Sequence, residues 1–175
     1  MDNVSLFFSI FNLNGRSFVL DQSMIFATVP LIYLTFLLVF VLAIKGGIRE
    51  KKAFLLTVLA LPLAVLLIKT IHLFFFEPRP FVSFNFVPIV MESANSASFP
   101  SRHATIAGVL AFAFIYSKSS WSLLFLPIAV WIGISRIYVG VHYPLDILGG
   151  FVVAITSLAL AILTKKFLGK VFLRI

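Results

Sequence analysis

The chain is 175 residues long, 61% of them hydrophobic and 11% charged, where an average soluble domain carries about 25% charged residues. So large an apolar excess excludes a small soluble core and makes lipid the solvent, and the absence of cysteine excludes disulfides and thiolate chemistry. The formal net charge of +8 does not indicate nucleic acid, because most of the basic residues sit in short loops between apolar runs, where membrane topology accounts for them.

In chain order, residues 1–20 are the weakest element. Val4, Leu6, Phe7, Ile10, Phe11 and Leu13 fall at helical spacing beside Ser5, Ser9 and Asn12. That pattern predicts an interfacial helix ending near Asn14-Gly15. Asp2 is the first charge and no basic stretch precedes an apolar run, so a secretory signal is not expected. Five apolar segments follow, at about 24–44, 53–76, 104–116, 121–134 and 147–164. The first, second and last have the roughly 20 residues that a spanning helix needs. At about 1.5 Å per residue the third reaches only roughly 20 Å, and a short helix is tolerated where its polar start opens into a water-filled pocket. Pro30, Pro62 and Pro127 lie inside apolar runs and predict kinks rather than ends. The expected fold is an all-α integral membrane protein with about five transmembrane helices and an N-terminal interfacial helix.

Charge gives the orientation. Lys45, Arg49, Lys51 and Lys52 separate the first two spans, Lys118 separates the third and fourth, and Lys165, Lys166, Lys170 and Arg174 follow the fifth. With five spans these places share one side, which the positive-inside rule makes cytoplasmic. The opposite side receives the N-terminus and the segments 77–103 and 135–146, with Arg16, Arg79, Arg102 and Arg136.

Three stretches on that opposite side concentrate the polar residues: Glu77-Pro78-Arg79-Pro80, Pro100-Ser101-Arg102-His103, and Ser135-Arg136 followed by His142 and Asp146. Their chemistry suits phosphate ester hydrolysis. Arg79 and Arg136 offer planar forks for phosphate oxygens, and Ser101 and the first N–H groups of the third span add donors. His142 is the candidate nucleophile. Asp146 lies four residues on, close enough along a helix to hold one imidazole nitrogen while the other attacks. His103 is the remaining histidine on that face, suited to protonate a leaving oxygen. Glu77 reads as a local partner of Arg79 or Arg102 rather than an acid catalyst. A lone loop histidine is more often structural than catalytic, and Arg-Pro alone carries nothing. The joint pattern is specific, because ionisable groups at membrane depth default to function. The acidic residues Asp2, Asp21, Glu50, Glu77, Glu92 and Asp146 contain no pair spaced as a magnesium or zinc site.

The joint pattern resembles the type-2 phosphatidic acid phosphatase superfamily, whose signature is Lys-x(6)-Arg-Pro, Pro-Ser-Gly-His and Ser-Arg-x(5)-His-x(3)-Asp. Ser135, Arg136, His142 and Asp146 match the third part fully, and Pro100, Ser101 and His103 match the second with Arg102 in place of glycine. Only Arg79-Pro80 matches the first, since His72 stands where the lysine belongs. The resemblance implies a six-helix core, no metal or other cofactor, a phosphohistidine on His142, orientation by Asp146, leaving-group protonation by His103, and phosphate binding by Arg79, Ser101 and Arg136. Lys69, His72 or Arg102 would supply the missing cation. The runs 76–81 and 97–101 look like those of small bacterial undecaprenyl pyrophosphate phosphatases, with lipid A 1-phosphatases and phosphatidylglycerophosphate phosphatases as near alternatives. A vanadate-dependent oxidase and a non-catalytic lipid-binding protein are the readings from other classes.

The expectation is a single domain over 1–175, with the interfacial helix at 1–20 and a catalytic helical core at 21–165. By resemblance it belongs in a bacterial inner membrane, its site facing the periplasm or cell exterior. Its partners are a lipid phosphate and the bilayer, with no nucleic acid and no obligate protein partner evident.

Overall fold

A computed structural model describes residues 2–172, with side chains through residue 165. It is all-helical: α1 Asn3–Phe11, α2 Phe18–Thr28, α3 Pro30–Lys45, α4 Ile48–Phe74, α5 Pro80–Ser83, α6 Arg102–Tyr116, α7 Ser122–Tyr138 and α8 Pro144–Phe172. Two helices are long and apolar enough to cross a bilayer, α4 and the stretch Pro144–Lys165 of α8, with mean hydropathy 2.4 and 2.3. The pair α2 and α3, bent by 51° at the break, is long and apolar enough for a third span when taken as one, while α6 and α7 are shorter apolar helices. Counting the bent pair as one rod and setting aside α5, five apolar rods and the N-terminal helix remain.

The first span departs from its sequence reading. It starts at Phe18, inside the stretch assigned to the interfacial helix, and Pro30 opens a new helix instead of kinking a continuous one. The residue before a proline is pushed out of the α region, and Val29 is found there at φ −129°, ψ −60°. Pro62 and Pro127 stay inside α4 and α7.

Helix α6 is the hub, packed against α4, α7 and α8. The contact faces are small and aliphatic: Ala60, Ala64, Ala107, Ala111, Ala154 and Ala161 are buried. Small residues let membrane helices approach closely. Outward faces carry exposed Leu66, Leu123, Leu148 and Leu163, as lipid contact requires.

The ends of the bundle differ in chemistry. At one end Arg49 donates to the Lys118 carbonyl at 3.1 Å, Ser119 donates to Glu50, and Lys52 lies over the Tyr116 ring. Lys165 and Lys52 line one cleft there; Arg174 and the side chains of Lys166 and Lys170 lie outside the described residues. The C-terminal ends of α4 and α7 and the N-terminal ends of α6 and α8 meet at the other end. The chemistry-bearing residues sit there.

Candidate active site

The turn from α7 into α8 sets His142. Val141 N–H donates to the Arg136 carbonyl and Gly140 N–H to that of Ile137. This is the paired bonding that ends a helix on a left-handed residue, and Gly140 supplies it at φ +85°. The strap 139–143 then runs into α8, which opens at Pro144, a favoured first position. Asp146, in the first turn of α8, accepts from Tyr143 N–H at 2.7 Å and so caps its own helix. Asn3 of α1 accepts from Leu145 N–H at 3.0 Å, and Phe7 of α1 packs on Tyr143. The N-terminal helix thus clamps this turn.

The same carboxylate oxygen of Asp146 faces His142 Nδ1 at 3.2 Å and accepts from the Ser98 hydroxyl. On the other side of the ring, Arg79 Nη1 lies 3.2 Å from His142 Nε2. Since arginine only donates, Nε2 is the acceptor and Nδ1 carries the proton toward Asp146. Burial, followed by the charges of Arg79 and Arg136, holds His142 well below its ordinary pKa. The ring is therefore neutral, with a lone pair on the nitrogen that faces the arginines.

Arg79 and Arg136 are each 1% exposed. Arg79 is fixed by the Val141 carbonyl at 3.0 Å and the Ser96 hydroxyl at 3.0 Å, and burial lowers its pKa despite Glu92. Arg136 Nη2 lies 2.6 Å from Glu92 Oε2, and Arg102 and Arg79 approach Glu92 Oε1 at 3.5 and 3.8 Å. Ser101 caps α6, its hydroxyl accepting from Ala104 N–H at 3.4 Å, while its own N–H donates to the Asp146 carbonyl at 3.0 Å. His103, in the first turn of α6, lies near Arg136, His142, Glu92 and Arg102.

Arg79, Arg136, His142 and Asp146 therefore converge as their motifs predict, Arg102 joins through Glu92, and Ser101 and His103 border the cluster. Lys69 and His72 stand apart from it: with Arg102 they line a groove of about 420 Å³ between α4 and α6. Glu77 corrects its sequence reading. The ion pairs of Arg79 and Arg102 among the described residues go to Glu92, while Glu77 faces a separate cleft with Asn3, Ile71 and Phe99. Burial and then the Asp146 charge raise its pKa. Glu92 and Ser98 are site residues that the motifs do not announce. Ser98 lies in the run 97–101 used for the resemblance, whereas nothing in the sequence marks Glu92.

Buried guanidinium forks around a carboxylate-held imidazole, at one end of a membrane bundle, define a phosphatase of membrane lipids. The chain matches the PAP2 superfamily over residues 51–170 and belongs to it; it is a lipid phosphatase. It is 34% identical over 155 residues to the undecaprenyl-diphosphatase BcrC of Bacillus subtilis (strain 168), covering 87% of this chain and 79% of that protein. Among solved structures, LpxE of Aquifex aeolicus superposes with a TM-score of 0.67 at 28% identity, over 91% of this chain and 94% of that one. A transmembrane PAP2-type phosphatidylglycerolphosphate phosphatase from Bacillus subtilis follows at 0.63 and 27%, covering 93% and 86%.

Proposed function

We propose that the whole chain acts as one metal-independent hydrolase that takes the terminal phosphate from undecaprenyl pyrophosphate and leaves undecaprenyl phosphate, through a phosphohistidine on His142. The observation that carries this is the imidazole held between Asp146 and Arg79, with unprotonated Nε2 facing the place where the guanidinium groups gather an anion. Attack forms the N–P bond as the bridging P–O bond breaks, and His103 gives its proton to the departing lipid phosphate. Water, deprotonated by His103, then cleaves the N–P bond and frees inorganic phosphate. Arg79, Arg136 and the donors around Ser101 hold the phosphoryl oxygens and stabilise their charge in the transition state, the role a metal would otherwise fill. Asp146 stabilises the imidazolium character that develops.

Two features support a long-chain lipid diphosphate. A relative that matches 87% of this chain is named an undecaprenyl-diphosphatase. The α4–α6 groove is apolar along Leu61, Val65, Ile68 and Ile106 and cationic at Lys69 and Arg102, with His72 beside them, so a lipid chain can stay in the bilayer while a second phosphate meets those cations. The basic end of the bundle opposite the site supports a cytoplasmic-membrane location with the site facing the periplasm or exterior.

The test is phosphate release measured side by side on undecaprenyl pyrophosphate, phosphatidylglycerophosphate, phosphatidic acid and lipid A, with trapping of labelled enzyme. Undecaprenyl pyrophosphate is expected to turn over fastest, with label on His142 and none in His142→Ala. A faster rate on another lipid overturns the substrate; label elsewhere, or full turnover in His142→Ala, overturns the mechanism.

A further inference from the structure

Glu92 holds the position that the reaction needs for another anion. Its carboxylate takes the Arg136 Nη2 donor at 2.6 Å and lies 3.5 Å from Arg102 and 3.8 Å from Arg79. Those are the cations that must surround a phosphoryl group attacked by His142 Nε2, itself 3.2 Å from Arg79. We infer that Glu92 is a specificity-determining residue: an internal anion that occupies the phosphate seat and yields it only to a ligand carrying more negative charge than a carboxylate. The inference rests on the reading of the arginine cluster as that seat.

Three observations bear on it. First, the stretch around Glu92 is lightly held. Its backbone is anchored where Ile89 N–H meets the Val139 carbonyl and where Ser98 N–H meets that of Glu77. Ser96 is held by Arg79. Between Ile89 and Ser96, the polar ties to the helical body among the described residues are those of Glu92; Val90 packs on the Tyr138, Val139 and Val141 cluster, and Met91 is 98% exposed. Releasing the carboxylate therefore disturbs little else. Second, the seat has capacity that a carboxylate leaves unused: Arg136 Nε is buried with no partner among the described residues, and a tetrahedral oxyanion brings further oxygens to it. Third, Glu92 stays charged. Burial works to raise its pKa, but Arg79 and Arg136 outweigh this and hold it below the usual carboxylate range.

The consequence is a filter on charge. A phosphodiester headgroup carries one negative charge, as Glu92 does, so exchanging one for the other gains nothing. A phosphate monoester or pyrophosphate carries more charge and more acceptors, and it wins the arginines. The bilayer surrounds the site with phosphodiester lipids, and Glu92 keeps them out while admitting terminal phosphates.

Equilibrium dialysis of inorganic phosphate against the purified chain in detergent, with phosphatidylglycerol micelles as competitor, tests this. Glu92→Gln is expected to bind phosphate about tenfold more tightly than wild type, and phosphatidylglycerol, which does not compete in wild type, competes in the variant. Unchanged or weaker phosphate binding in a folded Glu92→Gln overturns the inference, as does competition already present in wild type. Should that variant fail to fold, Glu92 is left intact and Met91→Cys carries an environment-sensitive fluorophore, the chain having no other cysteine. A saturable emission change on adding phosphate is expected, and its absence overturns the inference. These measurements read binding alone. Absence of phosphate release from every lipid tested would instead sink the hydrolase reading.

Discussion

Ser98 and His142 share one oxygen of Asp146, so the proposed nucleophile is positioned by a network. Removing the hydroxyl in Ser98→Ala strips one hydrogen bond from a charged acceptor, worth about 1.5–3 kcal/mol. The expected result is a drop in kcat of about tenfold or more at nearly constant KM, since Ser98 does not face the arginines. A change confined to KM would contradict this placement. The burial of His142 also has a pH signature. Its native pKa lies well below the ordinary value, because of burial and then Arg79 and Arg136, so below about pH 6.5 the unfolded chain binds a proton that the native chain refuses. Stability should therefore fall as pH drops through that region, by up to about 1.4 kcal/mol per pH unit from this group. Thermal unfolding in detergent should have a shallower pH dependence in His142→Ala; an identical slope would refute the assignment. At this scale much of the site was legible in the sequence. Arg79, Ser101, His103, Arg136, His142 and Asp146 sit at spacings that carry chemical meaning. Glu92 and Ser98 reach the site from the irregular segment between α5 and α6, where no periodicity or local spacing says which side chain folds inward.

Helix packing brings these residues to within bonding distance, and Gly150 marks a close approach of α8 to the α6 backbone near the site. A Cβ there would meet the Ser101 carbonyl at 2.8 Å, Ala104 Cβ at 3.0 Å and Thr105 N at 3.1 Å. Two of these are backbone atoms of the α6 N-terminus, which cannot swing aside as a side chain tip can. Gly150→Ala should push α8 from α6, costing about 1–3 kcal/mol of stability. It should also move Asp146 relative to Ser101, lowering kcat by about tenfold to a hundredfold. Gly47→Ala is the comparison: there the added carbon meets only the Glu50 carboxylate, at 3.3 Å, at the far end of the bundle, and kcat should be unchanged. Equal loss in both would mean that the α6–α8 approach is not what positions the site. The apolar runs announced five rods, but their ends were set by other physics. α4 begins at Ile48, ahead of its apolar run, because Glu50 turns back to cap Gly47 N–H at 2.9 Å. The break before Pro30 comes from the proline's effect on Val29 and is accompanied by a Thr28–Ser135 hydrogen bond at 3.0 Å, and the apolar run by itself does not show it.

Across the whole molecule, charge and chemistry separate to opposite ends. Arg49, Lys52, Lys118 and Lys165 gather at one end, and at the other Arg79, Arg102 and Arg136 are engaged around Glu92. The sequence revealed this separation through loop counting, because successive loops alternate between the two sides, and taking the bent α2–α3 pair as one span keeps that count. The proposed orientation of the two ends rests on the positive-inside rule, and the cysteine-free chain makes it directly measurable. Met91 at the site end and Ser120 in the turn between α6 and α7 are both exposed. In intact cells a membrane-impermeant maleimide should label Met91→Cys and spare Ser120→Cys, and permeabilised cells should label both. Labelling of Ser120→Cys alone in intact cells would invert the topology. The arginine cluster would then meet the cytoplasmic pool of lipid phosphates, and the lipid substrate would have to be sought on that side of the membrane.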